Sequence, residues 1–353
     1  MNFIFTLLIL LFILGFIVLI HELGHFLMAK RCGVYVEEFS LGMGPKLFSY
    51  KNKKKENAST ITLRAFPIGG YVAMANSEND GFKIKKNQVL ENKSFINKLL
   101  VLLMGIIFNF ILAIVLLFLN GLIYGSPDNS PYVGDILDKS AVDVAGFEKG
   151  DLIKSVNNKK VSSWDDVLLK INIIKGKNSY SFDVLKTSGK TETYNVVPTI
   201  TKDKDGKETK TFGFSISSKK EYGFVNAIKY SFKSVGNITK SLFVIIGNLF
   251  TGGISVSNLS GPVGVFSVVD QLKAQGLEAI IYLLAYLSLN VGIINLIPIP
   301  VFDGGRILIT AIEEVRHKKL SDKFSSILNM IGFGILIILM VFVTLSDVLK
   351  LLF

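Results

Sequence analysis

Two of the chain's three histidines stand four residues apart in His21-Glu22-Leu23-Gly24-His25. On a helix, residues four apart share a face, so both imidazoles can bind one ion while Glu22 reaches a water beside it. That is the arrangement of a zinc-dependent hydrolase. In a water-exposed helix the same pattern arises from surface charge pairing. Here it closes the uncharged apolar run from Phe3 to Ile20. An ionisable residue at the bilayer centre costs about 2.5–3.5 kcal/mol on insertion scales, so a cluster of them needs a counter-charge, which a divalent cation supplies.

Catalytic zinc takes three protein ligands and keeps one open position, so a third ligand is expected elsewhere in the membrane part. Asp303 is the best candidate. It lies in Asn295-Leu-Ile-Pro-Ile-Pro-Val-Phe-Asp303-Gly304-Gly305, at the end of a later apolar run. Pro298 and Pro300 each remove a backbone donor and break a regular helix there. Broken backbone at membrane depth is tolerated where it lines a cavity. Gly304 and Gly305 allow a close turn around a ligand. The plainer reading of Asp303 is a cap on a proline-kinked exit loop.

The elements that hold these residues follow from hydropathy. Half of the 353 residues are apolar and 19% are charged, which fits a membrane protein with aqueous parts. Spans are expected at Phe3 to Ala29, Leu99 to Tyr124, Ile280 to Ile297 and Ile327 to Val343. The first has no basic residue ahead of it and no small-residue cleavage site after it, which speaks against a cleaved signal peptide. The single Cys32 excludes an internal disulfide and a thiolate zinc finger.

The net charge of +11 sits beside the apolar runs, at Lys30 and Arg31, at Lys51 and Lys53 to Lys55, and at Lys318 and Lys319. It reads as a topology signal at a lipid bilayer, with no nucleic-acid partner. By the positive-inside rule the loops 31–98 and 316–319 are cytoplasmic, and both termini and the segment from Gly125 to Glu278 face outward. Within that segment, Asn226 to Phe250 interleaves lysines with apolar residues and suits a helix lying on the membrane surface. The stretch from Thr201 to Lys210 reads as a solvated turn or linker.

Residues 131–200 read as a small soluble unit with alternating strands such as Tyr180 to Leu185 and Thr193 to Val197. Its Ser140-Ala-Val-Asp-Val-Ala-Gly-Phe-Glu-Lys-Gly150-Asp-Leu-Ile run and its Val161-Ser-Ser-Trp164 element resemble a PDZ domain, which implies handling of an extended polypeptide.

Taken with Ser40-Leu-Gly-Met-Gly44-Pro-Lys, Pro67-Ile-Gly-Gly-Tyr71-Val and Leu259-Ser-Gly-Pro-Val-Gly264, these segments resemble the site-2 protease family of intramembrane zinc metalloproteases, and most closely its bacterial RseP branch. The resemblance implies a multi-pass α-helical membrane protein of four transmembrane helices. It also implies an inserted α+β PDZ domain and a membrane-associated β-hairpin at Ser40 to Val72. The corresponding segments are 1–30 with the His-Glu-Leu-Gly-His motif, 31–98 with the hairpin, 99–124, 131–200, 222–265, 278–311 with the Asp303 motif, and 326–348.

By the same likeness Zn2+ is held by His21, His25 and Asp303, Glu22 is the general base and acid, and Asn295 holds the scissile carbonyl. Substrates would be single-pass membrane proteins already trimmed by another protease, such as anti-sigma factors, or signal-peptide remnants. The setting would be a bacterial cytoplasmic membrane, with the PDZ domain outside and the active site near the cytoplasmic side. Two departures stand out: Met104-Gly-Ile-Ile-Phe-Asn109 lacks the Gly-Pro that relatives often carry before the Asn, and there is one PDZ-like unit where some relatives have two. Rival readings are a non-catalytic PDZ adaptor, disfavoured because the general base is present, and a metal transporter, disfavoured by the lack of internal repeats.

Overall fold

A computed structural model describes residues 2–51, 58–75, 84–127, 130–173, 179–202, 208–216, 220–256 and 259–352. The lysines at 53–55 therefore lie outside the described residues. In chain order the elements are helix α1 (Asn2–Arg31), strands β1 (Val36–Lys51) and β2 (Thr60–Met74), helix α2 (Phe95–Tyr124), strands β3 (Ser126–Pro127) and β4 (Val133–Ile136), helix α3 (Ala141–Ala145), strands β5 (Leu152–Val156) and β6 (Lys159–Lys160), helix α4 (Trp164–Ile173), strands β7 (Tyr180–Leu185), β8 (Thr191–Val196), β9 (Thr199–Lys202), β10 (Glu208–Thr211), β11 (Phe214–Ile216) and β12 (Lys220–Glu221), and helices α5 (Phe224–Phe250), α6 (Pro262–Lys273), α7 (Leu277–Leu296), α8 (Asp303–Arg316) and α9 (Asp322–Leu352). Among the described residues four helices, α1, α2, α7 and α9, are long and apolar enough to cross a membrane. The chain divides into two compact units, residues 1–116 with 259–349, and residues 117–258 with the last four.

In the first unit α1, α6 and α7 pack through Leu10, Ile13, Ile17, Val269, Leu283 and Leu284. Helix α7 stops at Leu296, just before Pro298, and the chain resumes helix at Asp303, so the prolines do interrupt the third span. Across that break a Cβ on Gly304 would lie 2.2 Å from the Leu296 carbonyl oxygen, and one on Gly305 2.1 Å from that of Ile299. Only glycine lets α8 begin folded back against the end of α7. Further along, the carboxylate of Asp347 in α9 accepts the backbone N–H of Gly261 at 2.7 Å and of Gly264 at 2.8 Å, capping the start of α6. The Ser-Gly-Pro-Val-Gly segment is thus the seat of a buried carboxylate from another span.

Strands β1 and β2 are both bent on themselves. Residues Val36 to Leu41 pair antiparallel with Met74 back to Gly70, Lys46 to Lys51 with Arg64 back to Thr60, and Glu38 to Leu41 also lie beside Thr60 to Leu63. The reversals use Gly42 and Gly44, whose φ of +86° and +84° an L side chain rarely adopts. Arg64 ties the fold together, donating to Ser40 Oγ (2.9 Å), the Gly44 carbonyl (2.8 Å), Glu38 (2.8 Å) and Tyr71 Oη (2.6 Å). Among the described residues, segments 46–51 and 70–74 are left as the edges. Met43, Leu47, Phe48, Tyr50 and Phe66 are exposed on the outer part.

The second unit holds a four-stranded antiparallel sheet in the order β6-β5-β7-β8. Trp164, Tyr180, Phe182, Ile153 and Val133 form its core, joined by Phe212 and Phe214, which lie past the 131–200 stretch marked out in the sequence. Strand β11 pairs with β4 and brings Phe214 beside Trp164, the ring centroids 5.1 Å apart. The ends of the stretch expected as a solvated turn or linker, Thr201 to Lys202 and Glu208 to Lys210, lie in the antiparallel β9–β10 pair, and 203–207 lie outside the described residues.

Helix α5 buries Ala227, Tyr230, Ser231, Ser234, Val235, Ile238 and Leu242, a 3–4 residue repeat, and exposes Phe224, Val225, Ile228, Phe232 and Phe243. Lys240 reaches back to both carboxylate oxygens of Asp166 on α4, at 2.8 and 3.1 Å.

Candidate metal centre

Histidines 21 and 25 lie toward the C-terminal end of α1, both buried and facing the same way, with ring centroids 4.7 Å apart and planes at 86°. Asp303 opens α8, where the break after α7 presents it to them. The Nε2 atoms of His21 and His25 are 3.2 Å apart, and each is 3.2 Å from Oδ2 of Asp303.

An equilateral triangle of that edge is the face of a tetrahedron whose centre lies about 2.0 Å from each corner, the distance at which nitrogen and carboxylate oxygen bind zinc. Oδ2 of Asp303 is buried and has no hydrogen-bond partner among the described residues. A buried acceptor left so is costly unless a cation takes it. Gly105 of α2 supplies the remaining evidence of fit. A Cβ there would stand 2.3 Å from Nε2 of His25 and 2.8 Å from Cε1 of His21, filling the space beside the ligand atoms. Three donors of borderline character, an unpaired buried oxygen and a space kept clear by a glycine together suit a divalent ion.

Helix α2 approaches this closely because Gly24, the fourth residue of the His-Glu-Leu-Gly-His motif, allows it. A Cβ on Gly24 would lie 2.4 Å from the carbonyl oxygen of Met104. Contact between small residues is the usual device by which membrane helices bring their backbones together. From α2 the Val101 carbonyl accepts from Nδ1 of His25 at 2.8 Å, which puts the ring's proton on Nδ1 and leaves the Nε2 lone pair for an ion. The carboxamide of Asn109 lies 3.3 Å from Nδ1 of His21. Sequence reasoning missed Val101, Gly105 and Asn109 as parts of this centre. The signal was their i, i+4, i+8 spacing and a polar Asn inside an apolar span.

Glu22, partly buried, faces the sheet: a Cβ on Gly70 of β2 would touch its Cγ at 3.4 Å and the Ser40 carbonyl at 2.9 Å. The edge segment 70–74 therefore runs against Glu22. Asn295 is the penultimate residue of α7, one position before the Leu296 carbonyl that Gly304 abuts, and its half-buried carboxamide makes no hydrogen bond among the described residues. The structure thus brings His21, His25 and Asp303 to one point, with Glu22 next to His21 in sequence, and leaves Asn295 beside the break.

A family model described as peptidase family M50 matches residues 9–339. The chain belongs to peptidase family M50. The regulator of sigma-W protease RasP of Bacillus subtilis (strain 168) is 31% identical over 418 residues, which cover 96% of this chain and 97% of the relative. The zinc metalloprotease RasP of Bacillus licheniformis is 30% identical, over 96% and 97%. With four spans and this family, the protein is an intramembrane zinc metalloprotease of a bacterial membrane, and the site-2 protease resemblance drawn from the sequence stands. A non-catalytic adaptor is not favoured.

Proposed function

We propose that His21, His25 and Asp303 hold the zinc and that Glu22 moves the proton in hydrolysis of a peptide bond within a transmembrane segment. The observation that carries this is the triangle with 3.2 Å edges formed by Nε2 of His21, Nε2 of His25 and Oδ2 of Asp303, an oxygen with no hydrogen-bond partner among the described residues. When bound, zinc polarises the scissile carbonyl and brings a water's pKa near 7. Glu22 takes the proton of the attacking water and returns it to the leaving amine, a transfer worth typically about 10²–10⁴-fold. Asn295, at the broken end of α7, donates its amide to the carbonyl oxygen of the bond being cut.

A transmembrane helix hides its peptide bonds in its own hydrogen bonds, so the substrate must unwind and its freed backbone groups must find partners. The β1–β2 sheet fits that need. Its edge segment 70–74 passes Glu22, and an extended substrate added to an edge of this sheet has its donors and acceptors satisfied. The exposed Leu47, Phe48, Tyr50 and Phe66 suit a sheet that dips into the membrane.

In the second unit the antiparallel sheet with helices α3 and α4 supports a PDZ-type module that handles polypeptide, and α5 suits the membrane surface. By the positive-inside rule that module faces outward and the metal centre lies toward the cytoplasm. The substrates proposed are single-pass membrane proteins whose outer part another protease has trimmed; the name of the Bacillus subtilis relative favours regulators of a sigma factor among them.

The experiment is a series of tagged single-span stubs, with and without helix-breaking residues near the cut site, expressed with wild type and with Asp303→Ala. Cleavage by wild type alone, rising with helix breaking, supports the reading. Zinc content and cleavage that survive Asp303→Ala would contradict the ligand assignment, and cleavage indifferent to helix breaking would contradict the unwinding step.

A further inference from the structure

We propose that Asn109 is a positioning residue for this enzyme: its carboxamide oxygen accepts the Nδ1 proton of His21 and so turns the ring's Nε2 lone pair toward the metal. The inference rests on the ligand assignment made above. Asn109 is wholly buried at 0% exposure in the middle of an apolar span, where a polar side chain is costly unless it serves something. Among the described residues its side chain has one contact at hydrogen-bonding distance, from the atom placed as Nδ2 to Nδ1 of His21 at 3.3 Å, and the atom placed as Oδ1 has no partner.

Which amide atom faces the ring is decided by chemistry, since nitrogen and oxygen are assigned from the hydrogen-bond network. Either orientation leaves one amide atom unpartnered among the described residues, so the amide itself gives no preference. The imidazole does. A neutral histidine that binds metal through Nε2 carries its proton on Nδ1, and that N–H needs an acceptor. The oxygen therefore belongs toward His21. The neighbouring ligand obeys the same rule, with Nδ1 of His25 donating to the Val101 carbonyl at 2.8 Å. Val101, Gly105 and Asn109 stand at i, i+4 and i+8 of α2, so one face of that helix fixes His25, clears the space beside both rings and fixes His21.

Asn109 is itself held. Ser288 of α7, also fully buried, donates its hydroxyl to the Asn109 backbone carbonyl at 2.9 Å. A Cβ on Gly292 would touch the Asn109 Cβ at 3.4 Å. The α7 helix, whose broken end leads to Asp303, therefore also sets the depth of the residue that orients His21. If Asn109 served only to fill space between α1, α2 and α7, an apolar residue of like size would replace it without effect on the metal.

The test uses the full-length protein in detergent, with zinc affinity measured by chelator competition and the ligand field read from the visible spectrum of the cobalt-substituted form. Loss of an outer partner of a metal-binding histidine typically weakens binding about 10–100-fold. Asn109→Leu is expected to show that loss and an altered cobalt spectrum, while Asn109→Asp, which keeps an acceptor, is expected to bind at least as tightly as wild type. Wild-type affinity in Asn109→Leu would overturn the proposal, as would an Asn109→Asp as weak as Asn109→Leu. Should the Leu variant fail to fold, Asn109→Asp decides alone: a tenfold or larger loss refutes an acceptor role. His21→Ala separates the two claims, since normal zinc binding there would remove the ligand assignment and this inference together, whereas its loss leaves Asn109 to be judged on its own variants.

Discussion

Gly105→Ala should leave the protein folded and abolish its metal centre. Alanine is favoured over glycine inside a helix by about 1 kcal/mol, so on propensity α2 gains. The new methyl, however, would sit 2.3 Å from Nε2 of His25, 2.7 Å from its Cε1 and 2.8 Å from Cε1 of His21, where ordinary contact begins at 3.4 Å. Relief requires the ligand nitrogen to retreat by about 1 Å, and a misplacement of that size costs on the order of 10²-fold in rate. His25 cannot swing freely, because its Nδ1 is tied to the Val101 carbonyl on the same helix. The assay pairs thermal unfolding in detergent with zinc content and cleavage of a tagged single-span stub. The expected result is an unfolding temperature equal to or above wild type, zinc largely lost and cleavage reduced at least a hundredfold. Full zinc occupancy and cleavage in Gly105→Ala would refute the claim that α2 holds this space open for the metal.

Gly304→Ala places a methyl 2.2 Å from one backbone oxygen and 2.6 Å from another, neither of which can rotate away, so it should lower stability by about 1–3 kcal/mol and disable cleavage, checked by melting and stub assays. Asp347→Ala strips the acceptor from two backbone N–H groups at the start of α6 and should cost about 1–3 kcal/mol in detergent melts without changing which bond is cut. Burial would raise the Asp166 carboxyl, but hydrogen bonds from Lys240 and Ser162 outweigh it and hold the group below the usual carboxylate range. The folded state then binds fewer protons than the unfolded chain as pH falls through that range, so this contact is full at neutral pH and is lost on acidification. Lys240→Gln should flatten that part of the stability-versus-pH curve in circular-dichroism melts.

Much of the site was legible in the sequence because its residues are anomalies there. Two histidines and a glutamate ending an apolar run, and an aspartate behind two prolines, violate the ordinary composition of a span, and such violations mark function. The long helices follow from hydropathy alone. What was not legible depends on close approach between helices distant in sequence. Gly24 and Gly105 look like any small residues until the Met104 carbonyl is found against one and both imidazoles against the other. Asn109 read as part of a motif variant until the fold placed it on His21. The doubled-back course of β1 and β2 was hidden for a different reason: it turns on Gly42 and Gly44, and on an Arg64 that saturates four partners from both strands, a register that periodicity cannot state. Strand β11, far beyond the unit it completes, escaped because three residues carry no reliable alternation.

The most direct test of the central claim is the comparison of wild type with Glu22→Gln, measured for zinc content and for cleavage of single-span stubs in a host lacking its own enzyme of this kind. Equal zinc is expected in both proteins, since Glu22 is not among the three proposed ligands, with cleavage lowered by about 10²–10⁴-fold in the variant. Equal cleavage by both forms would contradict the claim, because the proton would then be moved by some other group.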